Sequence, residues 1–182
     1  PLQITERGLT GSFLFDFCFL FGCCFFLMEI GLSSKNAFFN NLDNIQFLKS
    51  DWFQELDTKQ FDLIISNPPY VDSTDPGFKN GEIQYEPRLA LDGGHSGLDA
   101  YHQIIPTALN HLNYGATIIL EHAFNQGEHI RQYLQENGYI SISTILDYSG
   151  HERVTMAGHG VTMGRDQVRT RLIQLPDNIT RS

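Results

Sequence analysis

The chain is short of basic residues: 12 Lys and Arg stand against 21 Asp and Glu in 182 residues, giving a net charge of −9 and a pI near 5.1. Phosphate recognition draws its affinity from clustered Lys and Arg. Half of the twelve lie from Arg131 onward, and no basic stripe interleaves with aromatics. The composition therefore disfavours a nucleic-acid binder. Cysteine is scarce as well. Cys18, Cys23 and Cys24 crowd into one apolar stretch with no His or Cys array at ligand spacing, which points to buried reduced thiols, no metal site and no disulfide framework. A chain of this length fits one domain with a sizeable core.

What is present is concentrated at Ser66-Asn67-Pro68-Pro69-Tyr70, directly after the apolar run Phe61-Asp62-Leu63-Ile64-Ile65. A short apolar run closed by turn residues reads as a buried strand entering a loop, the place where open α/β sheets put their ligand sites. Each proline fixes its own φ, lacks an N–H and pushes the preceding residue into an extended conformation. Asn67 and the Pro68 carbonyl are thus held as neighbouring acceptors, suited to the two N–H bonds of a planar –NH2 group. An isolated Asn-Pro would mark only a turn; the full tetrapeptide after a buried strand is more specific.

Further marks follow: Tyr85-Glu86-Pro87, Leu89-Ala90-Leu91, Gly93-Gly94, Gly97-Leu98-Asp99-Ala100-Tyr101, Leu120-Glu121-His122, and the run from Asp147-Tyr148-Ser149-Gly150 to His151-Glu152-Arg153-Val154. From about Leu32 to Met156 the chain resembles the HemK/PrmC family, the release-factor glutamine methyltransferases. The resemblance implies an α/β, Rossmann-like class I S-adenosylmethionine-dependent methyltransferase domain with a C-terminal antiparallel hairpin. It also implies transfer of a methyl group to the glutamine nitrogen of the Gly-Gly-Gln motif in class I peptide chain release factors, in the cytoplasm. Asn67 and Pro68 would accept the amide N–H bonds, Pro69 would stiffen the loop and Tyr70 would border the acceptor. On the cofactor side Asp51, Trp52 and Asn67 match the family, with Trp52, the single tryptophan, expected at the end of the strand adjacent to that of Asn67. A catalytically inactive remnant and a nucleic-acid amino-group methyltransferase are the alternatives.

The first thirty residues do not follow the resemblance. Residues 11–28 hold half of the 14 phenylalanines with Asp16 as their one charge, a length at the lower bound for a membrane span and equally compatible with a buried helix. No positive cluster flanks them and no cleavage site ends them, so a membrane role is left open rather than favoured. The family's glycine loop and its ribose-binding acid are absent, which leaves the first strands missing or degenerate. Gly8 and Gly11 offer only a weak remnant of the loop. The expectation is an anomalous segment over 1–31, out of register with the ancestral coding sequence, a methyltransferase domain over 32–165 and a frayed tail over 166–182. The helical domain that family members carry ahead of the catalytic one is also missing, so the chain reads as a fragment.

Elsewhere the pattern predicts a helix over 34–42, a strand over 44–49, a long loop over 71–95 acting as a substrate-side flap, and an amphipathic helix from Leu98 to Leu112, kinked or broken at Pro106. A strand over 116–120 leads to Glu121-His122, where His122 reads as a hydrogen-bonded structural residue. A helix over 128–137 capped by Gly138 and strands over 140–146 and 153–156 complete the reading.

Overall fold

The computed structural model describes residues 2–10, 13–21, 26–79 and 86–160, as backbone alone before residue 31. Seven strands form one sheet: β1 (Leu2–Thr10), β2 (Phe13–Phe21), β3 (Ile45–Lys49), β4 (Phe61–Asn67), β5 (Leu112–Glu121), β6 (Ile140–Leu146) and β7 (Glu152–Gly158). Their order across the sheet is β3-β1-β2-β4-β5-β7-β6. β2 pairs parallel to β4 and β4 to β5, whereas β1 runs antiparallel to β2 and β3, and β7 antiparallel to β5 and β6. Five strands therefore point one way and two the other. Four helices accompany them: α1 (Phe26–Phe39), α2 (Arg88–Leu91), α3 (Asp99–Ala108) and α4 (Gly127–Glu136).

The sheet centre is where the apolar residues are. Strands covered on both faces need near-continuous hydrophobic runs, and β4 and β5 supply Phe61, Leu63, Ile64, Ile118 and Leu120, all buried. Tyr101, Ile104, Ile105 and Ala108 of α3 and Ile130 and Leu134 of α4 join Phe61, Ile64, Ile118 and Leu120 in one core cluster. α3 and α4 each lay an apolar stripe at helical spacing on the sheet.

Pro106 lies inside α3 and cannot donate to the carbonyl of His102, four residues back. The Tyr133 hydroxyl lies 3.5 Å from that carbonyl. One turn further on, the helix ends and the Ile105 carbonyl is taken by the Tyr139 hydroxyl at 2.7 Å. Two tyrosines from α4 and its C-terminal turn thus reach carbonyls of α3. The helix does not run on to Leu112: a 3-10 turn at Leu109–His111 intervenes, and Leu112 is fully buried as the first residue of β5. Gly138 closes α4 with φ +84°, the left-handed cap the sequence signals.

The N-terminal reading needs correction. Residues 13–21 of the Phe-rich stretch are a strand, not a helix, and pair with β1 as a hairpin. Among the described residues no helix is long and apolar enough to cross a membrane. The sheet positions beside β4 are filled by this hairpin. α1 starts at Phe26, earlier than the predicted 34. Residues 11–12, 22–25 and the tail over 166–182 lie outside the described residues, as does Tyr85.

Tyr139→Phe is expected to destabilise the fold by about 1–3 kcal/mol, because the buried Ile105 carbonyl would lose its donor. Urea unfolding checks this, and an unchanged midpoint would contradict it.

Candidate active site

The parallel register brings the predicted residues to one edge of the sheet. Ser66 pairs with Leu120, so Asn67 and Glu121 come next on neighbouring strands. Lys49 pairs with Leu2, Leu2 with Phe21 and Phe21 with Asn67. Lys49 therefore sits level with Asn67, and Asp51 and Trp52 follow it at the same edge. They are not on the adjacent strand, as the sequence led us to expect: β1 and β2 lie between, about 14 Å at the usual strand spacing. No hydrogen bond or ring contact joins Asp51 or Trp52 to residues 67–70 among the described residues.

Asn67 is exposed, Pro68 buried, and Pro69 and Tyr70 half-buried. The Asn67 side chain makes no hydrogen bond among the described residues, and none ends on the Pro68 carbonyl. Both acceptors expected from the sequence are therefore unspent. The loop that carries them is firmly held. The Val71 N–H donates to the Leu91 carbonyl (2.8 Å), Gly93 N–H to the Val71 carbonyl (2.8 Å) and Ser73 N–H to the Gly94 carbonyl (2.9 Å). The Ser96 N–H donates to the Asp72 carboxylate at 2.9 Å. A Cβ on Gly93 would approach the Pro69 carbonyl within 2.7 Å, and one on Gly97 (φ +70°) would run into the Tyr70 carbonyl. Glycine at both positions is what lets the two loops close on each other.

Tyr70 donates its hydroxyl to Glu121 Oε1 at 3.3 Å. Burial first, and then the charge of Glu121 and the hydrogen bond to it, push the Tyr70 phenol above its ordinary value, with Arg153 opposing. The Glu121 carbonyl in turn accepts from the buried Tyr101 hydroxyl at 2.6 Å. Sequence reasoning gave neither Tyr101 nor Gln126 a place here; the Gln126 side chain donates to the Tyr70 carbonyl at 2.9 Å.

His122 is fully buried, with Nδ1 2.9 Å from the Ala123 carbonyl and Nε2 2.9 Å from Thr155 Oγ1. A carbonyl can only accept, so Nδ1 carries the proton and Nε2 accepts from Thr155. The Thr155 hydroxyl is then free to accept from Thr144 Oγ1 at 3.2 Å, and Thr144 accepts from Arg131 at 2.8 Å. Burial pushes the His122 ring down, which matches this neutral form. The structural role read from the sequence therefore fits, and His122 has no free nitrogen for catalysis.

On the cofactor side Ser50 Oγ donates to the Trp52 carbonyl (2.8 Å) and accepts from the Glu55 N–H (3.0 Å), forming a tight turn after β3. Trp52, at φ +48°, packs half-buried against the core, and Asp51 is exposed.

A family profile described as Eco57I restriction-modification methylase matches residues 27–154. The chain belongs to this methylase family. Among curated relatives, the release factor glutamine methyltransferase of Aliivibrio fischeri is 36% identical over 128 residues, 70% of this chain and 45% of its own length. That of Haemophilus influenzae is 41% identical over 127 residues, 70% and 43% of the two chains. That of Escherichia coli is 40% identical over 127 residues, 70% and 46%. The likeness to HemK/PrmC read from the motifs is thus borne out, and the chain spans a little under half the length of the curated relatives it matches. A solved ribosomal protein L11 methylase from Lactobacillus delbrueckii subsp. bulgaricus aligns with a TM-score of 0.51 at 18% identity, over 74% of this chain and 55% of its own. It shares the class I methyltransferase fold, α/β with a C-terminal antiparallel hairpin.

The described residues of this chain do not fit a complete S-adenosylmethionine site. At the edge shared with Asn67, β1 presents Leu2 and β2 presents Phe21, with no carboxylate for a ribose diol. β1 runs against its neighbours, so the end it brings to this edge is its first residue, not its last. Gly8, the supposed loop remnant, pairs with Phe15 towards the far end of β2 from Phe21, on the wrong side of the sheet for a cofactor loop.

Glu121→Gln is expected to bring the Tyr70 phenol part of the way back towards its ordinary value near 10, because the charge goes while burial stays. The sign follows from a raised folded value: the Tyr70 contribution to stability is present below the ordinary tyrosine range and lost as pH rises through the folded one. Alkaline ultraviolet titration, with Tyr70→Phe subtracted, measures it; a value unmoved by Glu121→Gln would contradict the coupling.

Proposed function

We propose that this chain carries the acceptor half of a protein-(glutamine-N5) methyltransferase acting on class I peptide chain release factors at their Gly-Gly-Gln motif. The observation that supports this most is the pair of acceptors at the end of β4 that take no hydrogen bond among the described residues: the exposed Asn67 carboxamide and the Pro68 carbonyl, on a loop fixed at both ends. The names and identities of the curated relatives support the same reading.

An amide nitrogen is a poor nucleophile, since its lone pair is delocalised into the carbonyl. A site that methylates it must place it and hold it in line with the donor. Here Asn67 Oδ1 and the Pro68 carbonyl accept the two N–H bonds of the acceptor glutamine, Pro69 keeps the two oxygens in fixed relation, and Tyr70 walls the acceptor on the side of Glu121. Preorganised dipoles of this kind supply orientation without reorganising during reaction. S-adenosylmethionine, the family's methyl donor, would supply the electrophilic methyl group; Asp51 and Trp52 are the residues assigned to its adenine side. Among the described residues β1 and β2 present no carboxylate or glycine loop, so the donor side they form is incomplete, and no step is assigned to it.

The same two acceptors could orient an exocyclic amino group of a flipped base. The net charge of −9 weighs against a phosphate backbone as partner. The incomplete donor side favours the remaining reading, a chain that still recognises its partner but transfers nothing.

Asn67→Ala is expected to weaken binding of a Gly-Gly-Gln peptide by about 0.5–1.5 kcal/mol, the worth of one hydrogen bond. Any transfer to a release factor should fall by about a hundredfold or more, the cost of removing one preorganised polar group. Equal peptide affinity and equal transfer in the mutant would refute the role.

Calorimetry with S-adenosylmethionine on the 182-residue chain should show no micromolar binding, in contrast to a control carrying a family glycine loop. Micromolar affinity in the unaltered chain would mean that residues outside those described complete the donor site.

A further inference from the structure

Gln126 stands in the short connection between β5 and α4, 6% exposed, and its carboxamide is fully engaged. Oε1 accepts from the Ala123 N–H at 3.0 Å. Nε2 donates to the Tyr70 carbonyl at 2.9 Å, the Ser96 carbonyl at 3.1 Å and the Gly97 carbonyl at 3.2 Å. Two hydrogens thus serve three carbonyls, one of them shared. The orientation is unambiguous: a flipped amide would aim its oxygen at three carbonyls and its –NH2 at an N–H donor.

We propose that Gln126 is the positioning residue of the acceptor loop, its one carboxamide fixing the Tyr70 carbonyl and, through it, the orientation of Asn67 and Pro68. This deepens the acceptor role proposed above and rests on it. Asn67 is held at one end by the β4 ladder, beside Phe21. Tyr70 is held at the other by Gln126. Between them stand two prolines with fixed φ, which make the segment a short stiff rod. A shift of the Tyr70 carbonyl is therefore passed to the two acceptor oxygens instead of being absorbed. The same carboxamide ties the loop over residues 96–97 to Tyr70, and Gly97 leaves the room for it, since a Cβ there would meet both the Tyr70 carbonyl and Gln126 Nε2. None of the hydrogen bonds of the Gln126 side chain goes to Asn67, so its part is to place the acceptors and not to touch the substrate.

Two variants separate this role from simple core packing. Q126E keeps an oxygen for the Ala123 N–H but turns a second oxygen on the three carbonyls; Q126M is neutral, of similar size, and loses both functions. Amide exchange is read at Val71, Ser73 and Gly93, whose bonds cross between the two loops, and at Ala123. The expected result is exchange faster by about tenfold or more at Val71, Ser73 and Gly93 in both variants, with Ala123 still protected in Q126E. Affinity for a Gly-Gly-Gln peptide, and kcat per folded molecule where the unaltered chain transfers methyl, should fall with it by about tenfold. Faster exchange spread evenly over β4 and β5, unchanged protection at the three loop amides, or unaltered peptide affinity in both variants would overturn the proposal. Absence of peptide binding by the unaltered chain would sink the acceptor reading itself, and the exchange pattern alone then decides whether Gln126 holds the loop.

Discussion

Ser66 pairs with Leu120 in the parallel ladder of β4 and β5, and because that register leaves Asn67 beside Glu121, the two loops that follow leave the sheet side by side. The register is enforced from inside. Leu63, Ile64, Ile118 and Leu120 are all buried, and a slip of one residue would exchange the side chains that the two covered faces pack against their neighbours. The core therefore fixes where Asn67 stands, although Asn67 itself is exposed. Tyr70 meeting Glu121 and Tyr101 meeting the Glu121 carbonyl are consequences of this one alignment.

Past the ladder the sheet no longer helps, and polar groups take over. The connection after β4 is tied to the loop over residues 91–97 by three backbone hydrogen bonds and the Asp72 carboxylate. Carbonyls withdrawn from water are costly without donors, and here side chains supply them: Gln126 for the buried Gly97 and the part-buried bonds to Tyr70 and Ser96, and Tyr139 for the buried Ile105. Most of these donors come from α4 or its flanks. That helix thus acts as a buttress for a site to which it contributes no acceptor.

Asn67 to Tyr70 were legible in the sequence because two strong local signals coincide there, a buried-strand run and two consecutive prolines. The strand over 140–146 and the Gly138 cap were legible for similar reasons, each bounded by residues with one preferred conformation. The Phe-rich stretch was not. Phenylalanine recurs at every second position from Phe13 to Phe21, the period of a strand, but Leu14, Cys18 and Leu20 between them are also apolar, and the alternation disappears into a uniform run that reads equally as helix. Trp52 was read on the adjacent strand because nothing in the sequence announced β1 and β2 as strands to be placed between. Gln126 carried no signal at all: a glutamine before a helix is ordinary, and only the fold sets three carbonyls around it.

The two halves of the site draw on different parts of the chain. Among the described residues, the bonds that hold residues 67–71 in place come, apart from the β2 edge, from β5, Gln126 and the loop over residues 91–97, all beyond residue 60. The donor side depends on the strands next to β4, and these are the hairpin of β1 and β2. A backbone ladder can be completed by any strand that pairs, because main-chain groups are the same in every residue. A ribose carboxylate and a glycine turn cannot be replaced so freely, because each depends on one residue type at one strand end. The sheet can therefore close, and the acceptor loop can keep its geometry, with a first hairpin whose described residues bring neither a carboxylate nor a glycine turn to the edge beside Asn67.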